Sequence, residues 1–527
     1  MLRSARSLLS GSKPLSGFSR KWSSMPAKGG LSLTKIVATI GPASEQLPML
    51  PQLVDAGMRI MRINFSHATY EEADLRMNNL RNHSPGLTNK GYNLRAVLLD
   101  TQGPEIRTGS FGTDGSIDLT QGNKVTLTTD EAHRTVQTED LLWISYKQLL
   151  ETVSPGSMIL LDDGAVELAV DSTDPTTGLV HCTIVNSGTL GSRKGVNLPN
   201  AKVQLPAMSE KDRLDIRWGI ENDIDYIAVS FVRKAQDLID IRNYTTELLK
   251  EFEYPADHPH PLLISKIEST EAMDNFDEIL EESDGIMVAR GDLGVEIPME
   301  QMAIAQKMIV RKSNLAGKPV IVATQMLESM QKNPRPTRAE CTDVANAVFD
   351  GADCVMLSGE SAKGKYPVGA VSMMNKIIAN AEQYGEENDI SDCPLPEFGN
   401  CHESIAIGAA EASRSLEASA IIVLAKSGSI AQAVSKFRPQ VPIVTFVPNM
   451  KTGRMLQMHR CIHPVMLSNT EDQEMILSNH SNRYGTAIKH AKSLGFCKSG
   501  DRVIVVAAEP GDELCSTALS MRVLTLK

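Results

Sequence analysis

The chain is 527 residues long and carries a formal net charge of −11, with 42% hydrophobic and 4% aromatic residues. This length is too great for one compact core, so we expect two to four domains. The acidic balance argues against a protein that binds nucleic acid or a membrane surface, and no apolar run reaches the length of a membrane span. The eight cysteines include no C-x-x-C pair, which favours a reducing compartment over a disulfide or zinc framework.

Residues 1–30 form a leader whose composition differs from that of the remaining chain. The leader is basic and rich in serine, and the first acidic residue of the sequence is Glu45. This composition is typical of an organellar transit peptide. We therefore expect a mitochondrial protein, with a plastid or the cytoplasm as alternatives. In the cytoplasm the leader would be a disordered tail.

Eight short apolar runs, each with the length and β-branched content of a buried strand, follow the leader. They lie at residues 35–40, 60–65, 96–99, 226–229, 262–268, 284–292, 319–323 and 354–357. The spacers between them have helical patterns, such as the capping box Thr337-x-x-Glu340. Eight β-α units predict an α/β fold, a (β/α)₈ TIM barrel, whose two parts are residues 31–104 and 206–385.

The third and fourth runs are separated by residues 105–205, which do not fit the β-α pattern. This segment contains short apolar runs between Gly and Pro turns, and Asp162-Asp163-Gly164 is predicted as a hairpin turn. It is predicted to be an inserted all-β lid domain. Without it, the barrel has the typical size of about 250 residues. After residue 385 a polar linker precedes residues 386–527, which alternate strands and helices and are predicted to form a C-terminal open α/β domain.

Charged residues end two neighbouring strands of the predicted barrel. Lys266 and Glu268 close one run, and Arg290 and Asp292 close the next. The C-terminal ends of parallel strands joined by a helix lie side by side, so these groups should converge. Two carboxylates can hold Mg²⁺ or Mn²⁺, and a lysine can neutralise phosphate. Alternatively, Asp292 is only a helix cap or turn residue, and Lys266 with Glu268 is a buried structural ion pair.

The other strand ends carry the same kinds of side chain. Cations, carboxylates and hydroxyls beside a divalent metal suit phosphoryl transfer, whose transition state spreads charge over the phosphoryl oxygens. No cysteine and no strong Ser-His-Asp arrangement occurs among these ends. The set comprises Arg62, Asn64, Ser66, Asp100, Thr101, Lys266, Glu268, Arg290, Asp292, Thr324 and Glu360.

Six sequence blocks together resemble the pyruvate kinase family. They occur in order at residues 61–67, 99–109, 194–199, 264–268, 287–294 and 323–330. No block is specific by itself, but the ordered set spans essentially the whole chain after the leader. The resemblance implies transfer of the phosphoryl group of phosphoenolpyruvate to ADP, which gives pyruvate and ATP in the last step of glycolysis. It also implies a homotetramer.

The resemblance further implies roles for the residues at the strand ends. Glu268 and Asp292 would hold Mg²⁺, or Mn²⁺, which bridges the enolate and carboxylate oxygens of the substrate. Lys266 would neutralise the phosphoryl group during transfer, and Arg62 would bind the phosphate. The N–H groups of Gly291 and Asp292 would bind the substrate carboxylate. We expect catalysis to depend on Lys266 and Arg62.

Thr324 is the third catalytic residue that the resemblance implies. It would lie beside the methylene carbon of the substrate, on the route that protonates the enolate. Its hydroxyl would also contact the bound substrate. The alternative for Thr324 is a simple helix cap.

A second cation and a nucleotide site are implied in the same way. The expected K⁺ ligands are hard oxygen atoms from Asn64, Ser66, Asp100 and the Thr101 carbonyl. The expected nucleotide-binding residues are Asn64, Phe65, Ser66, His67, Arg107 and Lys194. Glu105 fits the K⁺-dependent branch of the family, whereas Gln102 stands where the family usually has lysine. Lys194 lies in the inserted segment, so the lid must close over the site.

The C-terminal domain retains only part of the family's phosphate-binding effector loop. The retained residues are Lys426, Ser427, Gly428 and Ser429. The later loop, residues 507–513, lacks the Trp and Arg expected for fructose 1,6-bisphosphate and contains acidic residues instead. We therefore expect no strong activation by this sugar bisphosphate.

Two other classes of function stay open at this stage. A different Mg²⁺-dependent barrel enzyme acting on phosphoenolpyruvate or pyruvate, such as a lyase, would share the metal site but would not need Arg107 or Lys194. A non-catalytic regulatory paralogue would not need to retain Lys266 or Thr324. ADP-dependent pyruvate formation separates all three possibilities.

Overall fold

A computed structural model describes residues 32–84, 92–111, 115–388, 401–424, 427–478, 480–512 and 515–527. The predicted leader, residues 1–30, and Lys426 of the predicted effector loop lie outside these ranges. In the part of the chain that the structure describes, no helix is both long enough and apolar enough to cross a membrane.

The first part of the barrel contributes three strands and two helices. They are β1 (Lys35–Thr39), α1 (Met49–Ala56), β2 (Met58–Asn64), α2 (Tyr70–His83) and β3 (Ala96–Asp100). A capping box begins α2: the Thr69 hydroxyl accepts from the Glu72 N–H, and the Glu72 carboxylate accepts from the Thr69 N–H. All residues of β1 and β3 are buried, as expected for strands covered on both faces.

The inserted segment folds into two antiparallel-rich sheets. Its elements are β4 (Ser116–Leu119), β5 (Lys124–Thr128), β6 (Leu141–Trp143), α3 (Leu149–Thr152), β7 (Met158–Leu161), β8 (Val166–Asp174), β9 (Leu179–Ile184), β10 (Gly188–Gly191) and β11 (Val196–Asn197). One sheet pairs β10 with β4, and the other has the order β11-β7-β8-β9-β5-β6. Between β7 and β8, Asp162 and Asp163 have φ angles of 52° and 55°, as the predicted hairpin turn requires. We call this segment the lid.

The second part of the barrel contributes five strands and nine α-helices among the described residues. The strands are β12 (Tyr226–Val229), β13 (Leu262–Ile267), β14 (Gly285–Ala289), β15 (Val320–Ala323) and β16 (Cys354–Leu357). The helices are α4 (Glu210–Glu221), α5 (Ala235–Glu251), α6 (Thr270–Asp274), α7 (Phe276–Glu282), α8 (Arg290–Glu296), α9 (Met302–Ala316), α10 (Arg338–Asp350), α11 (Gly359–Ala362) and α12 (Pro367–Asn388). The capping box of Thr337 and Glu340 begins α10, as predicted.

The eight strands close into a parallel barrel in the order β1-β16-β15-β14-β13-β12-β3-β2. This confirms the predicted (β/α)₈ fold. The strands β3 and β12 are hydrogen-bonded neighbours although the lid separates them in sequence. The lid is therefore inserted at the C-terminal end of β3, the end of the barrel where catalytic groups collect. Inside the barrel the strands bury Val37, Ile60, Leu98, Ile264 and Ile321.

The C-terminal domain is an open sheet with helices. Its elements are α13 (Cys401–Ser415), β17 (Ala420–Leu424), α14 (Ser429–Lys436), β18 (Ile443–Phe446), α15 (Met450–Met455), β19 (Ile462–Val465), α16 (Thr470–Leu477), α17 (Arg483–Ser493), β20 (Arg502–Asp512) and β21 (Cys515–Thr525). The sheet order is β19-β18-β17-β20-β21, with only β21 antiparallel. The sequence pattern did not predict β19, because His463 and Pro464 interrupt its apolar run.

The C-terminal domain packs against the N-terminal ends of the barrel strands. The Arg454 guanidinium lies 2.8 Å from the Asp225 carboxylate, and that of Arg438 lies 2.9 Å from Asp353. The Tyr226 hydroxyl donates to the Met455 carbonyl at 2.8 Å. This junction therefore lies at the opposite end of the barrel from the lid.

Candidate active site

The strand-end residues that the sequence singles out converge at the C-terminal mouth of the barrel. Lys266 is the penultimate residue of β13, and Asp100 is the last residue of β3. The Lys266 Nζ lies 2.9 Å from the Glu268 Oε1 and 3.2 Å from the Asp100 Oδ1. It also donates a hydrogen bond to the Ser230 Oγ at 2.7 Å. Lys266 is thus the centre of a network that spans three neighbouring strands.

The charge state of Lys266 follows from these contacts. Burial by itself would lower the pKa of the ammonium, but the carboxylates of Asp100 and Glu268 outweigh it, and the pKa is raised above its ordinary value. Lys266 therefore keeps its positive charge at neutral pH. A fixed ammonium at the mouth of the barrel can stabilise negative charge that develops on a bound phosphoryl group.

Arg62 supplies the second cation of the site from β2. Its Nε donates to the Asp100 Oδ2 at 2.6 Å, and its Nη1 donates to the Thr39 Oγ1 at 2.9 Å. Burial opposes ionisation of Asp100, but Arg62 and Lys266 together lower the pKa of this carboxyl group. Asp100 is therefore charged, and it orients two cations toward the same space.

Glu268 is buried and has one oxygen without a hydrogen bond. Its Oε2 accepts from the Phe231 N–H at 2.6 Å. Its Oε1 is close to the Lys266 Nζ but accepts no hydrogen bond of good geometry from any described residue. Burial raises the pKa of Glu268 to about 7, Lys266 opposes this rise, and the nearby Asp292 carboxylate adds to it.

These properties of Glu268 suit a ligand of a metal ion. A buried carboxylate oxygen with a free lone pair, beside a second carboxylate, fits a hard divalent cation. The described residues contain no group of three or more His, Cys, Asp or Glu side chains that would suit a metal. Glu268 and Asp292 could thus supply only part of a coordination shell, which leaves positions for substrate and water.

Thr324 follows β15 directly and is held in an uncommon backbone conformation. Its φ is 70°, and that of the following residue, Gln325, is 54°. Such strain in non-glycine residues is concentrated at functional sites. The Thr324 hydroxyl accepts from the Gly291 N–H at 2.8 Å and donates to the Ala323 carbonyl at 2.6 Å. The Gly291 N–H must therefore exchange this bond before it can bind a substrate carboxylate.

Arg290 is a structural clamp rather than a member of the catalytic cluster. Its guanidinium forms a forked pair with the Asp343 carboxylate, at 2.7 and 2.8 Å. It also donates to the Thr324 carbonyl at 2.7 Å. The expectation that this arginine converges with Lys266 is wrong, because the side chain turns toward α10. Its effect on the site is to hold Thr324 in place.

The oxygen atoms predicted to bind K⁺ lie at the neighbouring ends of β2 and β3. Asn64 and Asp100 are register partners in the two strands. The Asn64 Oδ1 accepts from the Ser66 N–H at 3.1 Å, and the Thr101 carbonyl accepts from the Ser230 Oγ at 2.6 Å. The structure thus brings these oxygens to one region. Those of Asn64, Asp100 and Thr101 accept from protein donors.

Residues 64–67, which are predicted to contact the nucleotide, differ in their exposure to solvent. His67 is exposed, whereas the Phe65 ring is buried against Trp218, with ring centroids 5.1 Å apart. The Phe65 carbonyl accepts from the Lys211 Nζ at 2.7 Å. Only the backbone N–H groups and exposed side chains of this segment can therefore meet a ligand. The aromatic ring of Phe65 stabilises the core instead.

Two cations of the lid are paired with carboxylates. The Arg107 Nε donates to the Glu105 Oε2 at 2.6 Å, and the Lys194 Nζ lies 3.0 Å from the Asp162 Oδ1. The hairpin that carries Asp162 also approaches the barrel: burial, followed by the charge of Asp292, raises the pKa of Asp163. The lid tip therefore lies near α8, and a Cβ atom at Gly164 of this hairpin would lie 3.9 Å from Val295 of that helix.

Two residues of this arrangement are not among the site residues predicted from the sequence. Ser230 follows β12 and bonds both Lys266 and the Thr101 carbonyl. Asp162 was interpreted only as part of a turn, yet it is the ion-pair partner of Lys194. The position of Ser230 at a strand end was a usable signal, but nothing in the sequence indicated the partner of Asp162. In contrast, Glu360 is fully buried and accepts from the Leu327 N–H at 3.0 Å, which is a structural role.

In the C-terminal domain, three of the four predicted effector-loop residues are described. Gly428 has a φ of 78° and precedes α14, and the hydroxyls of Ser427 and Ser429 lie 2.8 Å apart at the surface. The segment predicted as the later loop is strand instead, because residues 507–512 belong to β20. There the Glu509 carboxylate accepts from the Arg483 guanidinium at 2.6 Å. An acidic group therefore occupies the neighbourhood in which a phosphate-binding residue was expected.

Comparison with known proteins agrees with this geometry. The family model described as "Pyruvate kinase, barrel domain" matches residues 31–371, and "Pyruvate kinase, alpha/beta domain" matches residues 403–523. The pyruvate kinase of Geobacillus stearothermophilus is 43% identical over 92% of this chain and 79% of its own length. The cytosolic isozyme of Solanum tuberosum is 44% identical, over 92% of this chain and 95% of its own. The chain therefore belongs to the pyruvate kinase family and is a phosphotransferase.

Proposed function

We propose that this enzyme transfers the phosphoryl group of phosphoenolpyruvate to ADP at the mouth of the barrel. The observation that carries the proposal is the buried cluster of Lys266, Glu268, Asp100 and Arg62, with Asp292 beside it. It combines two fixed cations with a carboxylate pair suited to a divalent metal. A dianionic phosphoryl group and a carboxylate are the substrate features that such a cluster complements.

Glu268 and Asp292 are the proposed ligands of Mg²⁺ or Mn²⁺. When bound there, the metal would act as a Lewis acid toward substrate oxygens. The Oε1 of Glu268, whose only close polar neighbour given by the described residues is the Lys266 ammonium, and the raised pKa of this carboxyl group support this role. The Lys266 ammonium lies 2.9 Å from the Glu268 Oε1, so it is directed into the same space. Glu268 and Asp292 would thus bind the metal, and Lys266 would stabilise the phosphoryl group.

Arg62 and Lys266 are the proposed phosphoryl-binding groups. Asp100 pairs with both cations, at 2.6 and 3.2 Å, so it orients them without neutralising either completely. Charge-assisted hydrogen bonds to phosphate oxygens would replace part of this pairing when substrate binds. Because Arg62 and Lys266 are held in place before the substrate binds, little free energy would be needed to reorganise them during phosphoryl transfer.

Thr324 is proposed to act in protonation of the enolate. Its hydroxyl lies between the Gly291 N–H and the Ala323 carbonyl, so it is held at one position and can relay a proton. The Gly291 and Asp292 N–H groups are proposed to bind the substrate carboxylate at the start of α8. Exchange of the Gly291 N–H from Thr324 to substrate would free the hydroxyl at the moment it is needed.

ADP is proposed to bind between the lid and the mouth of the barrel. Arg107 and Lys194 would bind its phosphates in exchange for Glu105 and Asp162, and residues 64–67 would line the site from the barrel. K⁺ is proposed to bind among Asn64, Ser66, Asp100 and the Thr101 carbonyl. The nearby Glu105 would favour dependence on K⁺, because it adds a negative charge and not the positive charge that a lysine would supply at this position.

The location and assembly of the enzyme are also proposed. The basic leader favours mitochondria, whereas the relatives from Solanum tuberosum and Glycine max are named cytosolic isozymes, which supports the cytoplasm as the alternative. A fusion of residues 1–35 to a fluorescent protein distinguishes the two. A homotetramer is expected from the family resemblance, and sedimentation measures it directly.

The test of the proposed function is pyruvate formation from phosphoenolpyruvate by the purified full chain. We expect a rate that requires ADP and Mg²⁺ and that rises on addition of K⁺. Glu268→Gln should require a much higher Mg²⁺ concentration for half-maximal rate. Pyruvate formation without ADP would favour a lyase, and no turnover under any of these conditions would favour a regulatory paralogue.

A further inference from the structure

Three neighbouring barrel strands begin with a cation at the end opposite the active site. Lys35 is the first residue of β1, Arg59 is the second residue of β2, and Arg95 immediately precedes β3. The strand β2 pairs with both β1 and β3, so the three side chains belong to one side of the barrel base. This base is the surface that meets the C-terminal domain.

The three cations are buried but have no protein partner among the described residues. Lys35 is 1% exposed, Arg59 8% and Arg95 5%. The Lys35 Nζ and the Arg95 Nε make no hydrogen bond, and burial is the only resolved influence on the Arg59 guanidinium. Buried ions without partners cost several kcal/mol each, so natural proteins rarely retain them without a role.

The other buried cations of the same junction are paired. Arg438 lies 2.9 Å from Asp353, Arg454 lies 2.8 Å from Asp225, and Lys451 lies 2.8 Å from Asp223. The junction therefore supplies carboxylates to the cations around most of the barrel base. Below β1, β2 and β3, Glu382 opposes the lowering of the Lys35 pKa and Asp55 opposes that of Arg95, but neither carboxylate forms an ion pair with these cations among the described residues.

A fourth unpartnered group faces this part of the base from the C-terminal domain. His463, the second residue of β19, is 3% exposed, and its Nε2 makes no hydrogen bond to a described residue. Burial, followed by the charges of Lys35 and Arg59, lowers the pKa of His463. The Cys461 N–H, just before β19, donates to the Leu33 carbonyl at 2.9 Å, so the segments that lead into β19 and β1 are in contact. Groups of both domains thus enclose one region.

The electrostatics of this region favour a bound anion over simple loss of protons. Burial, with a further effect of Arg59, lowers the pKa of Lys35 to about 7, so the lysine alone can become neutral. Burial lowers the pKa of Arg59 only to about 10 and that of Arg95 to about 9. Both guanidinium groups therefore stay charged at neutral pH, while the carboxylates of Asp55 and Glu382 offset part of the positive charge of the region without pairing with it.

We propose that Lys35, Arg59, Arg95 and His463 form a binding site for a compact dianion, of the phosphate type, between the barrel base and the C-terminal domain. Two guanidinium groups and an ammonium are the donors that phosphate oxygens accept from. The strands β2 and β3 run from this site directly to Arg62 and Asp100 at the other end of the barrel. A ligand here would therefore join the two domains at the base of the strands that carry the active site.

The test counts the phosphate ions that the full chain binds. Equilibrium dialysis against radiolabelled inorganic phosphate should give one more bound phosphate per chain for the wild type than for Arg59→Met. Subtracting the count of the variant from that of the wild type removes the contribution of any phosphate bound at the active site or in the C-terminal domain. Arg81→Met is the matched control, because Arg81 donates to the Asn222 and Asp223 carbonyls at the same end of the barrel and should leave the count unchanged.

A second measurement separates a binding role from a structural one. In phosphate-free buffer, Arg59→Met should melt at the same temperature as the wild type or higher, because it removes an unpaired buried charge. Phosphate should raise the melting temperature of the wild type more than that of the variant. Equal phosphate counts for wild type and Arg59→Met would overturn the proposal. If Arg59→Met does not fold, Arg95→Met is compared with the wild type instead, and equal phosphate counts for these two proteins would overturn the proposal.

Discussion

At the scale of single residues, the site depends on two buried carboxylates, Asp100 and Glu268, whose pKa values are shifted in opposite directions. Asp100 lies between Arg62 and Lys266, and these cations lower its pKa. Glu268 has Lys266 on one side but Asp292 on the other, and its pKa is raised to about 7 by burial and by Asp292. Asp100 is therefore an anion that orients Arg62 and Lys266, whereas Glu268 is suited to bind a metal ion.

This difference predicts that stabilisation by Mg²⁺ depends on pH. A carboxyl group with a raised pKa binds its proton more tightly in the folded state, so the metal-free protein loses free energy of unfolding as the pH rises from about 4.5 to about 7, by at most about 1.4 kcal/mol per unit. Mg²⁺ competes with that proton. The increase in melting temperature caused by Mg²⁺ should therefore be larger at pH 8 than at pH 6. Equal increases at both pH values, or a pH-dependent increase in Glu268→Gln, would contradict the assignment.

The pair of Lys194 and Asp162 predicts the effect of a lid substitution. Both side chains are partly exposed, so their pairing is worth only about 0–1 kcal/mol. Asp162→Asn removes a carboxylate that competes with the nucleotide phosphates for Lys194. The KM for ADP should fall, up to about fivefold, in steady-state kinetics. Asp171→Asn is the control, because Asp171 pairs with Lys124 elsewhere in the lid. A higher KM in Asp162→Asn would show that Asp162 positions Lys194 instead.

At the scale of elements, the eight barrel strands were predictable because each is a short apolar run that ends in polar residues. The site residues on their ends, such as Lys266 and Asp292, followed from the same pattern. The pairing of Lys194 with Asp162 was not predictable, since it joins two lid segments whose approach depends on the hairpin turn. Arg290 was misplaced because sequence spacing does not fix the direction of a long side chain.

The turn after β3 gives a prediction at this scale. Gly103 has a φ of 79°, and a Cβ atom there would lie 2.7 Å from the Phe231 ring and 2.8 Å from the Ser230 Cβ. Gly103→Ala should cost more than about 1 kcal/mol of unfolding free energy. It should also lower kcat, because Ser230 supports Lys266. Gly122→Ala is the control: its φ is 87° but no atom lies within 4 Å. Chemical denaturation and kinetics should show lost stability in both variants but lost activity only in Gly103→Ala.

At the scale of the whole molecule, the barrel presents its two ends to different domains. The lid covers the end with the catalytic cluster, and the C-terminal domain covers the other through ion pairs such as that of Arg438 with Asp353. The sequence indicated this division of the chain, but it did not indicate which residues form the junction. Those contacts join residues more than eighty positions apart, beyond the reach of local patterns.

The C-terminal domain predicts a weak response to fructose 1,6-bisphosphate. Glu509 lies in β20, within the segment where a phosphate-binding residue was expected, and its carboxylate would repel a sugar bisphosphate although it pairs with Arg483 of α17. The concentration of phosphoenolpyruvate at half-maximal rate should therefore change by less than about twofold when the compound is added, as measured in steady-state kinetics. A several-fold decrease would contradict this expectation.

The central claim is that Lys266 stabilises the phosphoryl group in transfer, while Glu268 and Asp292 hold the metal. The direct test is kcat for ADP-dependent pyruvate formation by Lys266→Met, with Lys363→Met as a control for an exposed lysine at the same end of the barrel. We predict a loss of about 10²–10³ in kcat for Lys266→Met, with no loss in the control and little change in the Mg²⁺ concentration for half-maximal rate. A kcat for Lys266→Met within a few-fold of the wild type would contradict the claim.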